Sequence, residues 1–517
     1  MFDPARIRTL WELVEYRARI SGGKPMFFDG DGRAVTFDGV RDEALRVAAG
    51  FRELGVGAGT RVAWQLPSRI GTVIASLALA RLGAVQTPVI PLHREREVGF
   101  ILTESAAEFV LVPGVWRGFD HTAMVRKLAG DGVRVLPVGD GLPTADPAGL
   151  PAAPSGGDDG ATAWIYYTSG TTSVPKGVEH TDASLIAGGV GLATALGMSA
   201  DDIGSIAFPY AHIAGPDYVV AMLVSGFPAV ILDTFEPGRA AAVYRRHGVT
   251  MAGGSTAFYQ AFLDESHRYR QQLPYAGRLI PSLRLLSGGG APMPPELYAA
   301  AGRELECAIV HGYGMTECPM IAMGTPYDSD EQLAGTVGRP VVGARVRIVR
   351  PDGSGAGDGE SGEVTVGGPM LFRRYTDPAL TAQAFTADGA FRTGDLGYLR
   401  PDGHLVLTGR LKDIIIRKGE NLSAQEIEEL VRTHPAVAEA AVIGLPDRER
   451  GERVCAVVTP ADPAAPPLTL AGLTAHLRAA GLMAQKLPEQ LETVGELPRG
   501  GPLHKVLKSV LRERYSG

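Results

Sequence analysis

Short apolar runs alternate with helix-period segments along most of this chain, and that alternation restricts the fold more than any single motif does. Arg61-Val-Ala-Trp-Gln-Leu66 is an apolar run, residues 70–82 have helical spacing, and Ala84-Val-Gln-Thr-Pro-Val-Ile90 is a second run. A strand that leads into a helix and back into a strand predicts a parallel sheet with crossover helices. The pattern returns at residues 109–112 and 133–138, then at 203–209 with the helix after it and at 229–232. Residues 249–252 precede a helix through Tyr259 and Phe262, and 283–287 and 308–313 are further strands. Ligands of such sheets gather at the carboxyl ends of strands. Two strands end there in polar or glycine-rich turns, Gly288-Gly-Gly-Ala291 and His311-Gly-Tyr313.

The ends of the chain read differently. Ile7, Leu10, Trp11, Val14 and Ala18 mark an amphipathic helix over 6–20. Residues 25–37 read as a hairpin turning on Asp-Gly, and a helix over 38–54 stops at Gly55. From about 335, short strands with Gly/Asp turns (345–349, 362–366, 404–408) predict a β-rich subdomain. After Gly409, residues 411–417 read as a strand, and 440–443 pairs with 453–458. Ser423-Ala-Gln-Glu426 has the spacing of a capping box for a helix over 427–433. The expectation is an α/β protein with a boundary near 410. Residues 1–410 form a large domain of α/β sheets with a β-rich subdomain, and 411–517 a small α+β domain.

A length of 517 residues agrees with more than one core. Hydrophobic content of 45% and charged content of 21% describe a soluble globular chain. A net charge of −7 argues against a nucleic-acid partner. Cys307, Cys318 and Cys455 lack metal-ligand spacing and read as small buried hydrophobes in a reducing compartment. The first residues lack a secretory pattern, and no run of about 18 apolar residues suggests a membrane span, so a cytoplasmic location is expected.

Tyr167-Thr-Ser-Gly-Thr-Thr-Ser-Val-Pro-Lys-Gly177 sets five hydroxyl side chains around Gly170 and closes on Lys176. Small residues let backbone N–H groups approach an anion, hydroxyls add donors, and a lysine adds a point charge. A polar surface loop is the competing reading. The spacing is not that of a Walker A loop.

Together with three later stretches, this loop resembles the adenylate-forming superfamily, in particular its acyl-CoA synthetase (AMP-dependent CoA ligase) branch. The other stretches are Tyr313-Gly-Met-Thr-Glu317, Thr393-Gly-Asp395 and Gly409-Arg-Leu-Lys-Asp-Ile-Ile-Ile-Arg-Lys-Gly-Glu-Asn421. All four occur in the family's order and span almost the whole chain. The resemblance implies ATP, Mg²⁺ and coenzyme A. It assigns Thr168, Ser169, Gly170, Thr171, Thr172 and Lys176 to the β- and γ-phosphates. Adenine would lie among Gly289, Gly290, Ala291, Gly312, Tyr313, Gly314 and Met315. Thr316 would bond a phosphate, Glu317 would hold Mg²⁺, Asp395 the ribose hydroxyls, and Arg410 the ribose or a phosphate. By themselves, a tyrosine ending a strand packs a core and a Thr-Gly-Asp triplet makes a turn.

The resemblance also implies a mobile C-terminal lid pivoting at Lys412. One arrangement presents a lysine to the α-phosphate, and the other presents Lys418, Gly419 and Glu420 to the pantetheine arm. Lys505 matches the catalytic lysine, but Pro498-Arg-Gly-Gly-Pro-Leu-His-Lys505 departs from the family's Pro-x-Thr-x-x-Gly-Lys. Lys508 lies close by as a competing choice.

The acid site is read from Phe208-Pro-Tyr-Ala-His-Ile-Ala-Gly215. Amino-acid-activating relatives carry an aspartate soon after such a Phe, and this chain has none before Asp217. The His-x-x-Gly form at His212 resembles acyl- and aryl-CoA synthetases, which counts His212 with Lys505, Thr316 and Glu317 as catalytic. Tyr210, His212, Gly215, Ser255, Thr256 and Gly289 are expected to line the pocket, with Gly253, Gly254 and Ser255 leaving room for an elongated or alicyclic acid. The expected reaction joins a fatty, alicyclic or aryl acid to coenzyme A. One alternative acceptor is a carrier protein, and a catalytically weak nucleotide- or acyl-binding relative is the third reading. The sequence leaves the oligomeric state open, a homodimer included.

Overall fold

The computed structural model describes residues 7–155, 161–168, 175–273, 277–290, 293–417, 420–447, 450–500 and 505–516. The chain gathers into two compact units. One is formed by the described parts of 1–169, 175–345 and 366–391, and the other by 346–365 and 392–517.

Among the described residues the first unit has three large sheets and a two-stranded one of Val115–Trp116 and Phe119–Asp120. The largest runs in the order Arg374–Tyr375, Lys176–His180, Trp164–Thr168, Val85–Pro88, Arg61–Trp64, Phe109–Val112, Arg134–Pro137. From Trp164–Thr168 outward to Arg134–Pro137 the strands are parallel, as the alternation predicts. Lys176–His180 and Arg374–Tyr375 join antiparallel at the opposite edge. A second sheet aligns Met251–Gly254, Leu285–Gly289 and Ala308–Met315 in parallel, then adds Cys318–Met323 and Arg339–Pro340 antiparallel. The third pairs Gly204–Ile206, Ala229–Ile231, Pro25–Asp29 and Ala34–Thr36.

Helices Ile70–Leu82, Asp182–Ala195 and Ala214–Ser225 are buried on nearly every side, as expected of helices apolar all round. The last two pack closely because the facing surface of Asp182–Ala195 carries glycines. A Cβ on Gly189 would fall 2.5 Å from Val220 Cγ1 and 2.7 Å from the Asp217 carbonyl. Tyr259, Phe262, Leu286 and Ile309 form one core between the second sheet and its helices.

The second unit contains a four-stranded sheet of Arg345–Val349, Gly362–Gly367, Phe391–Leu399 and Leu405–Arg410, whose outer residues belong to the first unit. A five-stranded sheet follows, in which Val437–Asp447 pairs with Gly451–Pro460 and Gln490–Thr493 adds in parallel. The strand expected over 411–417 begins only at Ile414, because Leu411–Asp413 makes a 3-10 turn. Half of the expected capping box is present: the Ser423 hydroxyl accepts from Glu426 N–H at 3.3 Å. The Glu426 carboxylate instead takes Lys486 at 2.6 Å. No helix of the described residues is long and apolar enough to cross a membrane, and the three cysteines are free thiols.

Candidate active site

Antiparallel pairing of Thr168 with Lys176 fixes both stems of the hydroxyl-rich loop. Ser169, Gly170, Thr171 and Thr172 lie outside the described residues. Strand Arg374–Tyr375 pairs beside Lys176–His180, with Tyr375 opposite Val178. The Lys176 ammonium stands 5.2 Å from the centre of the Tyr375 ring, within cation–π range. The Tyr375 hydroxyl donates to Glu317 Oε1 at 2.7 Å. Burial, reinforced by the Glu317 charge, pushes that hydroxyl far above its ordinary value, so it remains a donor. One tyrosine therefore ties the expected phosphate lysine to the expected metal carboxylate.

The Tyr313–Glu317 stretch ends strand Ala308–Met315 and turns into Cys318–Met323. Gly314 is required there, since a Cβ would fall 2.1 Å from the Pro319 carbonyl oxygen. Tyr313 is buried at 7% exposure. The Thr316 carbonyl accepts from His180 Nε2 at 2.7 Å, and His180 Nδ1 lies 2.8 Å from the Ser184 hydroxyl. Burial drives His180 down to about 4, partly opposed by the Thr316 bond, so the ring is neutral. Gly289 and Gly312 face each other on neighbouring strands, where a Cβ on Gly289 would meet the Gly312 carbonyl at 2.6 Å. Gly290 has φ of 80° and Ala291 lies outside the described residues. Among the described residues no cluster of three metal-ligating side chains occurs. A single carboxylate completed by phosphates and water suits Mg²⁺, and Tyr375 takes only one Glu317 oxygen.

The acid-site expectations divide. His212 sits in the turn before Ala214–Ser225, its Nδ1 accepting from Ala214 N–H at 3.3 Å. Ser68 pins that turn by donating to the Phe208 carbonyl and accepting from Tyr210 N–H, both at 2.8 Å. Tyr210 itself is fully buried, stacked on Trp64 with its hydroxyl 3.3 Å from Ser76, which gives it a packing role. Gly215 serves the turn: a Cβ would fall 2.2 Å from the Tyr210 carbonyl oxygen. Gly253 does not leave room for a ligand, since the Ser287 carbonyl occupies the space, 1.7 Å from where a Cβ would sit. Gly254 faces the Phe258 ring in the same way. Ser255 and Thr256 open helix Thr256–Gln272.

In the second unit, Asp395 and Arg410 are cross-strand partners, with Nε 2.9 Å from Oδ1. The Thr393 hydroxyl donates to the Val364 carbonyl and accepts from Asp395 N–H, which fixes the carboxylate. Lys505 pairs with Gly500 on a short hairpin. Its side chain keeps solvent-exposed surface. Desolvation nonetheless lowers its ammonium to about 8, with Arg410 adding to the effect and Asp395 opposing it. Lys508 forms a largely buried pair with Glu428 at 2.7 Å. The Lys412 carbonyl accepts from Arg512, which also pairs with Asp413. Lys418, Gly419 and the Glu420 side chain lie outside the described residues.

Residues 14–376 match the model of the AMP-binding enzyme family, and 426–501 match that of the AMP-binding enzyme C-terminal domain. The chain belongs to this adenylate-forming family. It is 35% identical to the salicyl-AMP ligase/salicyl-S-ArCP synthetase of Mycobacterium tuberculosis over 90% of this chain and 83% of that one. It is 32% identical to the sulfoacetate–CoA ligase of Cupriavidus necator over 96% of each chain. The o-succinylbenzoate CoA synthetase of Bacillus subtilis, solved with its acyl-adenylate intermediate, superposes with a TM-score of 0.84 at 28% identity, covering 97% of each chain. Sequence reasoning missed two residues that brace the candidate site, Tyr375, which contacts Lys176 and Glu317, and His180, which bonds the Thr316 carbonyl. Each acts through a partner distant in sequence, and only the hydroxyl-rich loop just before His180 hinted at its position.

Proposed function

We propose that this AMP-forming ligase couples a carboxylic acid to coenzyme A in two steps. The acid's carboxylate oxygen attacks the α-phosphorus of ATP, and the bond to pyrophosphate breaks. The thiol then attacks the acyl carbonyl, loses its proton, and AMP leaves. The observation that carries this reading is the Lys176–Tyr375–Glu317 link, which sets a phosphate-binding cation beside a carboxylate with an oxygen to offer a metal. Mg²⁺ held at Glu317 would neutralise phosphate charge as pyrophosphate departs. Lys176 and the loop 168–172 hold the triphosphate, and Thr316 bonds a phosphate oxygen. Asp395 accepts the ribose hydroxyls while Arg410 steadies Asp395. Lys505 in its cationic form stabilises charge on the α-phosphate and the attacking carboxylate. His212 borders the acid, and the segment from Lys412 to Glu420 serves the thiol step.

A carrier-protein thiol is the second reading, favoured by the resemblance to the salicyl-S-ArCP synthetase. Supplying the adenylating protein with an accepted acid, ATP and either coenzyme A or a phosphopantetheinylated carrier separates them. Acyl-CoA formation at a rate matching AMP release is the expected result. AMP release that responds only to the carrier would overturn the coenzyme A assignment.

A further inference from the structure

Helix Ala214–Ser225 opens directly after the His212 turn, and its first turn carries a carboxyl without a counterpart. Asp217 is 2% exposed, its Oδ1 has no hydrogen-bond partner, and no cation of the described residues pairs with it. Oδ1 lies against the glycine face of Asp182–Ala195. A Cβ on Gly188 would fall 2.4 Å from it, and 3.1 Å from Pro319. The Tyr166 hydroxyl is likewise buried without a partner and senses the Asp217 charge. So does the thiol of Cys318, the residue after Glu317. Burial alone pushes the Asp217 carboxyl up to about 8, so near pH 7 it is chiefly a neutral O–H donor and carbonyl acceptor.

Leaving such a group unsatisfied costs roughly 1–3 kcal/mol, and a leucine would fill the same space without that cost. Two unsatisfied groups are thus left buried, the Asp217 carboxyl in the helix turn just after His212 and the Tyr166 hydroxyl that senses its charge. A ligand group that both donates and accepts would satisfy them. A substrate ammonium would instead need a buried ion pair, with its desolvation cost.

We propose that Asp217, together with Tyr166, is a specificity-determining group that selects a carboxylic acid bearing a neutral hydroxyl or amine remote from its reacting carboxylate. This rests on the acid-activating reading above and deepens it.

The test is acid-dependent pyrophosphate release with two matched series. One is benzoates carrying hydrogen, methyl, hydroxyl or amino at each ring position, where the aryl amine is neutral, and the other is hexanoates carrying hydrogen, methyl or hydroxyl on the terminal carbon. The wild type is expected to prefer at least one hydroxyl or amino acid over its methyl isostere by about 100-fold or more in kcat/KM, expressed mainly in KM for the acid. Asp217→Leu should reduce that ratio to within about 3-fold while melting no lower than the wild type. Asp217→Asn, which keeps a donor and an acceptor, should retain most of the preference. A ratio unchanged in Asp217→Leu, or no polar preference in a wild type that turns over acids, would overturn this proposal and leave acid activation standing. No pyrophosphate release with any acid would overturn acid activation itself, and this proposal with it.

Discussion

At the scale of single residues, Tyr375 is the side chain whose removal reads the site most cleanly. Tyr375→Phe keeps the ring beneath Lys176 and deletes only the bond to Glu317. A hydrogen bond to a charged group contributes about 1.5–3 kcal/mol to the folded state, so stability is expected to fall by up to that amount and adenylation to slow by up to roughly 10- to 100-fold as Glu317 loses its fixed orientation. Stopped-flow measurement of the first step checks this. Lys505 and Lys508 separate by the kind of damage expected. Lys505→Ala should lose at least about 100-fold in acyl-adenylate formation and melt normally, as for a group acting on transition-state charge. Lys508→Ala strands the buried Glu428 carboxylate, whose Oε1 also accepts from Val442 N–H, and should instead lower stability by about 3–5 kcal/mol in urea titration. Since Lys505 ionises near 8, its cationic fraction falls as pH rises through that value. Adenylation should therefore decline on the alkaline side, with a midpoint near pH 8. The lysines themselves were visible in the sequence. Their surroundings were not, because Glu428 and Asp395 reach them only through the tertiary fold.

At the scale of elements, long periodic segments were the legible ones. The helix over 70–82 and the strand over 109–112 fall where spacing alone places them. Legibility failed where a neighbour decides. Leu411–Asp413 turns despite its place beside an apolar run, and Glu426 leaves the cap for Lys486. Gly253 illustrates the limit most sharply: a glycine suggests space in sequence, yet here the adjacent strand's carbonyl takes it. The glycines of Asp182–Ala195 are likewise an adaptation to a neighbouring helix. Gly189→Ala should gain up to about 1 kcal/mol of helix propensity. The clash with Val220 and the Asp217 backbone outweighs this, since overpacking costs about 1–3 kcal/mol. A net loss of about 1–2 kcal/mol, seen as a lower urea midpoint with an unchanged m-value, is the expected outcome.

At the scale of the whole molecule, buried neutral groups tie stability to pH. His180 is depressed to about 4 from an ordinary 6.5, so the unfolded chain binds a proton there before the native one does. Stability then falls as pH drops below 6.5 and levels off below 4. The contribution is about 2 kcal/mol by pH 5, and His180→Gln should flatten the slope of unfolding free energy against pH in that interval. Function has the same distributed character. Lys176, Glu317 and His212, proposed for the phosphates, the metal and the acid, belong to the first unit, while Asp395, Arg410 and Lys505, proposed for the ribose and the α-phosphate, belong to the second. The central claim, that these groups together activate a carboxylic acid through an acyl-adenylate, is tested most directly by acid-dependent exchange of labelled pyrophosphate into ATP. Exchange that requires an acid and Mg²⁺, proceeds without coenzyme A and falls at least about 100-fold in Lys505→Ala is the predicted result. Exchange equally fast without any acid, or equally fast in Lys505→Ala, would contradict it.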